Sequence, residues 1–179
     1  MLLGLIFNQQ LTPWLQYDRL AVLYGQWWRL WSGHLLHTNG WHFLMNLAGL
    51  AIIVLLHHPY YRLLNMLFLV GAGFALISLA LLFWSPSISL YVGLSGFLHT
   101  LVVWGACQDI RAQWSSGWLI LIGVAGKVGW EQWQGASAEL VTLIDADVAT
   151  DAHLYGAICG LLLFVMTFSV QQIRQLDTA

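Results

Sequence analysis

The run LLNMLFLVGAGFALISLALLFW, residues 63–84, decides the class of this protein. It holds no charged side chain, and at 1.5 Å per residue it is long enough to cross a hydrocarbon core about 30 Å thick as one helix. It stops where Ser85-Pro86-Ser87 brings back polar and helix-breaking residues. The rest of the chain has the same character. Of 179 residues, 59% are hydrophobic and 8% charged, with a mean hydropathy of +0.72, against about 25% charged in an average soluble domain. That apolar surface excludes an ordinary soluble fold and a disordered chain. Six Lys+Arg and a net charge of −2 give no basic footprint for nucleic acid. A membrane protein of one domain, residues 1–179, is what remains, with the lipid bilayer as its partner.

Working outward from residues 63–84, further apolar spans run from about Trp41 to Leu56, Ser95 to Cys107, Trp114 to Trp130 and Ala152 to Val170. Lys127 lies near one end of its span, able to snorkel. Met1 to Phe7 is too short to cross and reads as the stub of a first helix, its start truncated or mis-assigned; it has no basic n-region and no cleavage site of a signal peptide. With the stub, the expectation is an all-α bundle of six transmembrane helices whose first helix is short. Residues 12–36, broken by Pro13, Asp18, Arg19, Gly25, Arg29 and Gly33, read as an interfacial first loop, and residues 135–151 as an acidic outer loop. Trp14, Trp27, Trp28, Trp31, Trp84, Trp114, Trp130 and Trp133 fall near the ends of apolar runs, as an aromatic belt requires. Cys107 and Cys159 sit inside apolar runs and read as buried small hydrophobes, not as a disulfide or a metal site.

Spans alternate in direction, so the second, fourth and sixth begin on one side of the membrane. Arg62, Arg111 and Arg174 lie on the opposite side, and Arg19 and Arg29 on the starting side. Counted by the positive-inside rule, this places Arg62, Arg111 and Arg174 in the cytoplasm and the starts of those three helices outside.

Three polar clusters occupy those starts. His42 and Asn46, four apart, share one face of the second helix; Ser95 opens the fourth in Gly93-Leu94-Ser95-Gly96; His153 opens the sixth in Ala152-His153-Leu154-Tyr155-Gly156. By helical rise, Ser95 and His42 sit about 21–23 Å above the polar cytoplasmic end, some way below the outer surface. Polar groups at that depth need a protein-lined cavity that water reaches. A serine hydroxyl becomes a nucleophile when a base is within hydrogen-bond reach, and His153 is the natural base. His42, Asn46 and the Ser95 amide are candidate donors for an oxyanion, helped by the positive end of the helix at Ser95. Gly93 and Gly96 remove bulk beside the serine, and Ala152, Gly156 and Gly160 form a small-residue stripe for close helix approach. Asp151, two residues from His153, should point elsewhere, so the reading is a Ser–His dyad without a carboxylate.

Each element has a plainer reading. A lone membrane serine usually bonds to the backbone one turn back. A histidine at a helix end is usually an interfacial anchor, and His34, His57 and His58 are read so. Imidazoles in membrane helices also hold haem or metals. Such ligation needs neither a glycine-flanked serine nor Asn46, so the joint pattern favours catalysis without metal or organic cofactor.

At these residues, over about Trp27 to Phe164, the sequence resembles the rhomboid intramembrane serine proteases. Trp28-Arg29 in the first loop, His37, His42-x-x-x-Asn46, Gly93-Leu94-Ser95-Gly96 and Ala152-His153-x-x-Gly156-x-x-x-Gly160 carry the likeness. It implies a six-helix bundle with a Ser95–His153 dyad and His42, Asn46 and the Ser95 amide at the oxyanion. Trp28 and Arg29 would belong to a structural first-loop motif, and His37 to a hydrogen-bond network holding that loop. The stretch Gln26-Trp27-Trp28-Arg29-Leu30 and Gly93-Leu94-Ser95-Gly96-Phe97-Leu98-His99 looks most like the rhombosortase branch. That implies cleavage of C-terminal Gly-Gly sorting tails on bacterial surface or secreted proteins, from an inner membrane with the site facing the periplasm. His99 departs from the family, many of whose members carry tyrosine there. It is expected to stack on His153; a changed His153 basicity or a satisfied core histidine are the alternatives. The rival functions are a catalytically inactive rhomboid-like protein that binds client transmembrane helices, for which the dyad would be superfluous, and a channel or transporter, which calls for intramembrane charges beyond Lys127.

Overall fold

The computed structural model describes residues 10–176, with side chains as far as residue 168. The stub Met1–Phe7 lies outside the described residues, as does the side chain of Arg174. In chain order the described elements are α1 (Thr12–Leu15), β1 (Tyr17–Asp18), α2 (Arg19–Leu23), α3 (Arg29–Ser32) with a 3₁₀ turn at Gly33–Leu35, and α4 (Gly40–His57) with a 3₁₀ turn at His58–Tyr60. They continue with α5 (Leu63–Trp84), β2 (Leu90–Tyr91), α6 (Ser95–Arg111), α7 (Ser116–Gln134), α8 (Ala138–Ile144) and α9 (Thr150–Leu176). The protein is mostly helical, as expected.

Among the described residues, three helices are long and apolar enough to cross a membrane: Gly40–Tyr60, Leu63–Trp84 and Thr150–Phe168. By length and composition they point to a membrane protein. α5 coincides with the apolar run that opened the argument. Two further expected spans fall short of that description for different reasons. α6 has only 17 residues, and α7 is diluted by Lys127, Glu131 and four glycines. The tryptophans expected in a belt, from Trp14 to Trp133, are exposed.

α6 is the central post. It packs against α4, α5, α7 and α9, and most of its side chains are buried, among them Leu101, Trp104, Gln108 and Asp109. A helix enclosed by protein needs no lipid-compatible face, which is why it tolerates polar residues. Leu69, Ile77 and Leu81 of α5 and Leu163 of α9, all fully buried, complete the core around it. α9 approaches α6 along the small-residue stripe. A Cβ on Gly156 would overlap the Gly96 carbonyl, and one on Gly160 would come within 2.7 Å of the Thr100 carbonyl oxygen.

One detail is added to the all-α expectation, and three expectations are corrected. The chain is not purely helical: β1 and β2 form a two-residue antiparallel pair, Tyr17 opposite Tyr91 and Asp18 opposite Leu90. Two residues are too few to show a strand period. The acidic loop 135–151 contains α8, started by Ser137, whose hydroxyl accepts the Leu140 N–H at 3.3 Å. His34 is no interfacial anchor but fully buried; its Nε2 lies 2.9 Å from Ser78 Oγ and 3.1 Å from the Phe74 carbonyl. His57 is equally buried, with Nε2 3.3 Å from Asp109 Oδ2. His58 is exposed, as an anchor should be.

Candidate active site

The site is built at the start of α6. Gly93 precedes it with φ +129°, a conformation that side chains rarely adopt, and a Cβ there would sit 2.9 Å from the His42 ring. Both constraints select glycine. Gly96, one residue past the serine, faces the Ala152 carbonyl, 2.9 Å from where a Cβ would be. These close approaches bring the first turns of α6 and α9 together. Ser95 Oγ then lies 2.9 Å from His153 Nε2.

His153 has a carboxylate partner, contrary to the reading of a bare dyad. Its Nδ1 lies 2.8 Å from Oε2 of Glu131, on α7. Asp151 does point elsewhere, accepting from the Ser85 hydroxyl. Glu131 itself is buried and also receives Lys127 Nζ, one turn earlier on α7, at 2.8 Å. The snorkelling assigned to Lys127 therefore gives way to a defined contact set. Its Nζ also lies 3.1 Å from His99 Nε2 and 3.1 Å from His153 Nδ1. The sequence signal for Glu131 was its spacing of four from Lys127 on an otherwise apolar helix, which puts both on one face.

His99 lies flat against His153, ring centroids 4.5 Å apart and planes 21° apart. Its Nδ1 lies 2.8 Å from the Ser95 carbonyl. A carbonyl only accepts, so Nδ1 carries the proton and Nε2 takes a hydrogen bond from Lys127. By the same reasoning, His153 accepting the Ser95 hydroxyl at Nε2 holds its proton on Nδ1 and donates it to Glu131. The ligating atoms of His99, Glu131 and His153 lie within 4.8 Å of one another, a grouping able to hold a metal ion. Lys127 Nζ contacts all three of these residues, so an ammonium already provides the positive charge there.

Ser95 and His42 line one cavity of about 300 Å³, together with Gln16, Thr38, Tyr91 and Val148. Asn39 caps α4 by accepting the His42 N–H at 2.9 Å. His42 Nδ1 lies 3.1 Å from Thr38 Oγ and 3.4 Å from the Thr38 backbone nitrogen. Asn46, one turn deeper, is buried, and among the described residues its Nδ2 has no hydrogen-bond partner.

The first-loop residues act at one remove. The buried Arg29 guanidinium donates to the Pro13 carbonyl at 2.8 Å, the Gln16 carbonyl at 2.7 Å and Gln26 Oε1 at 2.7 Å. It thereby holds Gln16, a wall of the cavity. Trp28 Nε1–H donates to the Trp14 carbonyl at 3.0 Å. His37 does not join a hydrogen-bond network: among the described residues both ring nitrogens lack a partner. It packs edge-on against His42 at 5.0 Å and Phe43 at 5.3 Å. Burial, and secondarily the neighbouring His42, pushes its pKa down to about 4, so it stays a neutral packing ring.

No protein-family model matches the chain, and no curated protein matches it.

Proposed function

We propose that the protein is an intramembrane serine endopeptidase of the rhomboid type, a six-helix bundle that cleaves the transmembrane or juxtamembrane segment of membrane-anchored proteins. The observation that carries this reading is the 2.9 Å approach of Ser95 Oγ to His153 Nε2 beside a cavity of about 300 Å³, between two helices that pack through glycine. A serine kept only for helix packing has no need of an imidazole at that distance.

In the proposed reaction Ser95 Oγ attacks the scissile carbonyl carbon while its proton passes to His153 Nε2. The new C–O bond places negative charge on the carbonyl oxygen. The Ser95 amide, the unpartnered Asn46 Nδ2 and His42 are the donors for it. With Nδ1 accepting the Thr38 N–H, His42 offers the proton on its other nitrogen to the cavity. The C–N bond then breaks, and His153 returns its proton to the leaving amine. Water attacks the acyl ester by the reverse proton path. A substrate helix hides its peptide bonds in its own hydrogen bonds, so the segment must unwind locally, which glycine favours. That fits the Gly-Gly sorting tails suggested by the likeness to rhombosortases. On the same reading the cavity opens to the periplasmic face of a bacterial inner membrane.

The test is labelling of the detergent-solubilised or liposome-embedded chain with a fluorophosphonate. Labelling of wild type that disappears in Ser95→Ala and in His153→Ala supports the reading. A well-folded wild type that takes no label sinks it and favours a non-catalytic binder of client helices.

A further inference from the structure

We infer that Glu131 is the positioning carboxylate of His153, itself held by Lys127, so that the catalytic pair operates as part of a Ser95–His153–Glu131–Lys127 chain. This rests on the serine-hydrolase reading of the site and deepens it.

The argument is one of proton inventory. A neutral imidazole has one N–H and one bare nitrogen, and only the bare nitrogen accepts a proton from serine. The ring of His153 meets a hydroxyl at Nε2, 2.9 Å away, and at Nδ1 both the Glu131 carboxylate, 2.8 Å away, and Lys127 Nζ, 3.1 Å away. The carboxylate is the closer, and Lys127 Nζ has that same carboxylate and His99 Nε2 as its acceptors. An ionised carboxylate only accepts, so it selects the Nδ1–H form and leaves Nε2 bare toward Ser95. When Ser95 gives up its proton, His153 gains a positive charge beside the negative charge of Glu131. Glu131 is itself fixed by the second charge-assisted bond, from Lys127 Nζ at 2.8 Å. Lys127 is fixed in turn by His99 Nε2 at 3.1 Å. His99 completes the circuit, since its Nδ1–H is committed to the carbonyl of Ser95 at 2.8 Å. The members of this cluster come from α6, α7 and α9.

Burial separates this from an ordinary surface ion pair. The side chains of His153 and Glu131 are 5% and 9% exposed, whereas that of Lys127 is 46% exposed. A carboxylate so enclosed, pointed at the distal nitrogen of a histidine, is a poor stability device. Its geometry is that of the orienting acid in a serine-hydrolase triad. Lys127 reaches it from the side that meets solvent and keeps the carboxylate aimed.

The test uses the full chain in detergent micelles with a fluorophosphonate, resolving the limiting labelling rate kinact from the half-saturating concentration KI. Glu131→Gln keeps volume and an acceptor but removes the charge. It is expected to lower kinact roughly 10²–10⁴-fold with KI unchanged, whereas a merely structural residue would move KI or the folded fraction. Glu131→Asp should recover part of that loss, and Lys127→Met should cost about tenfold in kinact. Independently of any variant, the nitrogen NMR spectrum of wild type should show the His153 proton on Nδ1; this decides the matter even if Glu131→Gln fails to fold. Wild-type kinact in folded Glu131→Gln, or a proton on Nε2, overturns the inference while leaving the hydrolase reading standing. Wild type that labels no faster than Ser95→Ala removes both.

Discussion

A buried histidine–carboxylate contact lies beside each end of α6, and the two differ instructively. At its start His153 meets Glu131 at 2.8 Å and turns its other nitrogen to a serine beside a cavity. Near its far end His57 approaches Asp109 at 3.3 Å and is sealed on all sides. Its ring lies over Gly105, where a Cβ would fall 2.5 Å from Cγ, and edge-on to Tyr61. The residue types are nearly the same. What differs is whether a serine hydroxyl and a cavity lie beside the second nitrogen, and this separates a candidate catalytic pair from a packing pair.

The sharpest way to break the comparison is to delete the reactive groups. Ser95→Ala and His153→Ala are each expected to cut fluorophosphonate labelling at least about 10⁴-fold, while His57→Phe leaves labelling of the folded fraction intact. Equal losses in all three would make the two ends alike. Next, on the proposed oxyanion role of Asn46, Asn46→Ala should lower the labelling rate about 10²-fold; a rate within twofold of wild type would take Asn46 out of the site. Gly156→Ala forces a methyl into the Gly96 carbonyl. It should destabilise by about 1–3 kcal/mol and separate Ser95 from His153, so thermal unfolding and labelling should fall together. The packing pair should show the reverse pattern. Asp109→Ala leaves His57 buried without a partner, and is expected to cost about 1–3 kcal/mol in stability with no change in labelling per folded molecule.

The smallest effect concerns pH. Burial lowers the pKa of His34 to about 3, only partly offset by its bond to the Phe74 carbonyl. Below about pH 6.5 the unfolded chain takes up a proton that the folded chain refuses, so stability is lost as pH falls. Between pH 7 and pH 5 this amounts to about 2 kcal/mol. Unfolding measured at both values should show that loss in wild type and not in His34→Gln.

The membrane class and the extent of α5 were legible because an uncharged apolar run of that length has one physical outcome. The packing of α9 on α6 was legible in the spacing of Ala152, Gly156 and Gly160, since small residues four apart mark a face. Glu131 was only half legible: its spacing from Lys127 marks a shared face of α7, but its partner His153 lies on another helix, and the relative rotation of α7 and α9 leaves no trace in either segment. The burial of His34 and His57 was equally hidden: a histidine at the edge of an apolar run reads the same whether it faces headgroups or a neighbouring helix. Residues 12–36 were recognisable as irregular, but two of the three acceptors around Arg29 are backbone carbonyls, which carry no residue identity.

The pairing of Tyr17 with Tyr91 has a consequence for precision. Leu90–Tyr91, just ahead of Ser95, is held in register by β1, and the Gly93 N–H, nearer still, donates to the Gly33 carbonyl at 3.2 Å. A slip of one residue along that pairing would invert which side chains face inward, exchanging Tyr91 for its neighbours and carrying the start of α6 with it. The first loop thus serves the rest of the molecule as a ruler, setting the origin from which the position of the serine hydroxyl is measured.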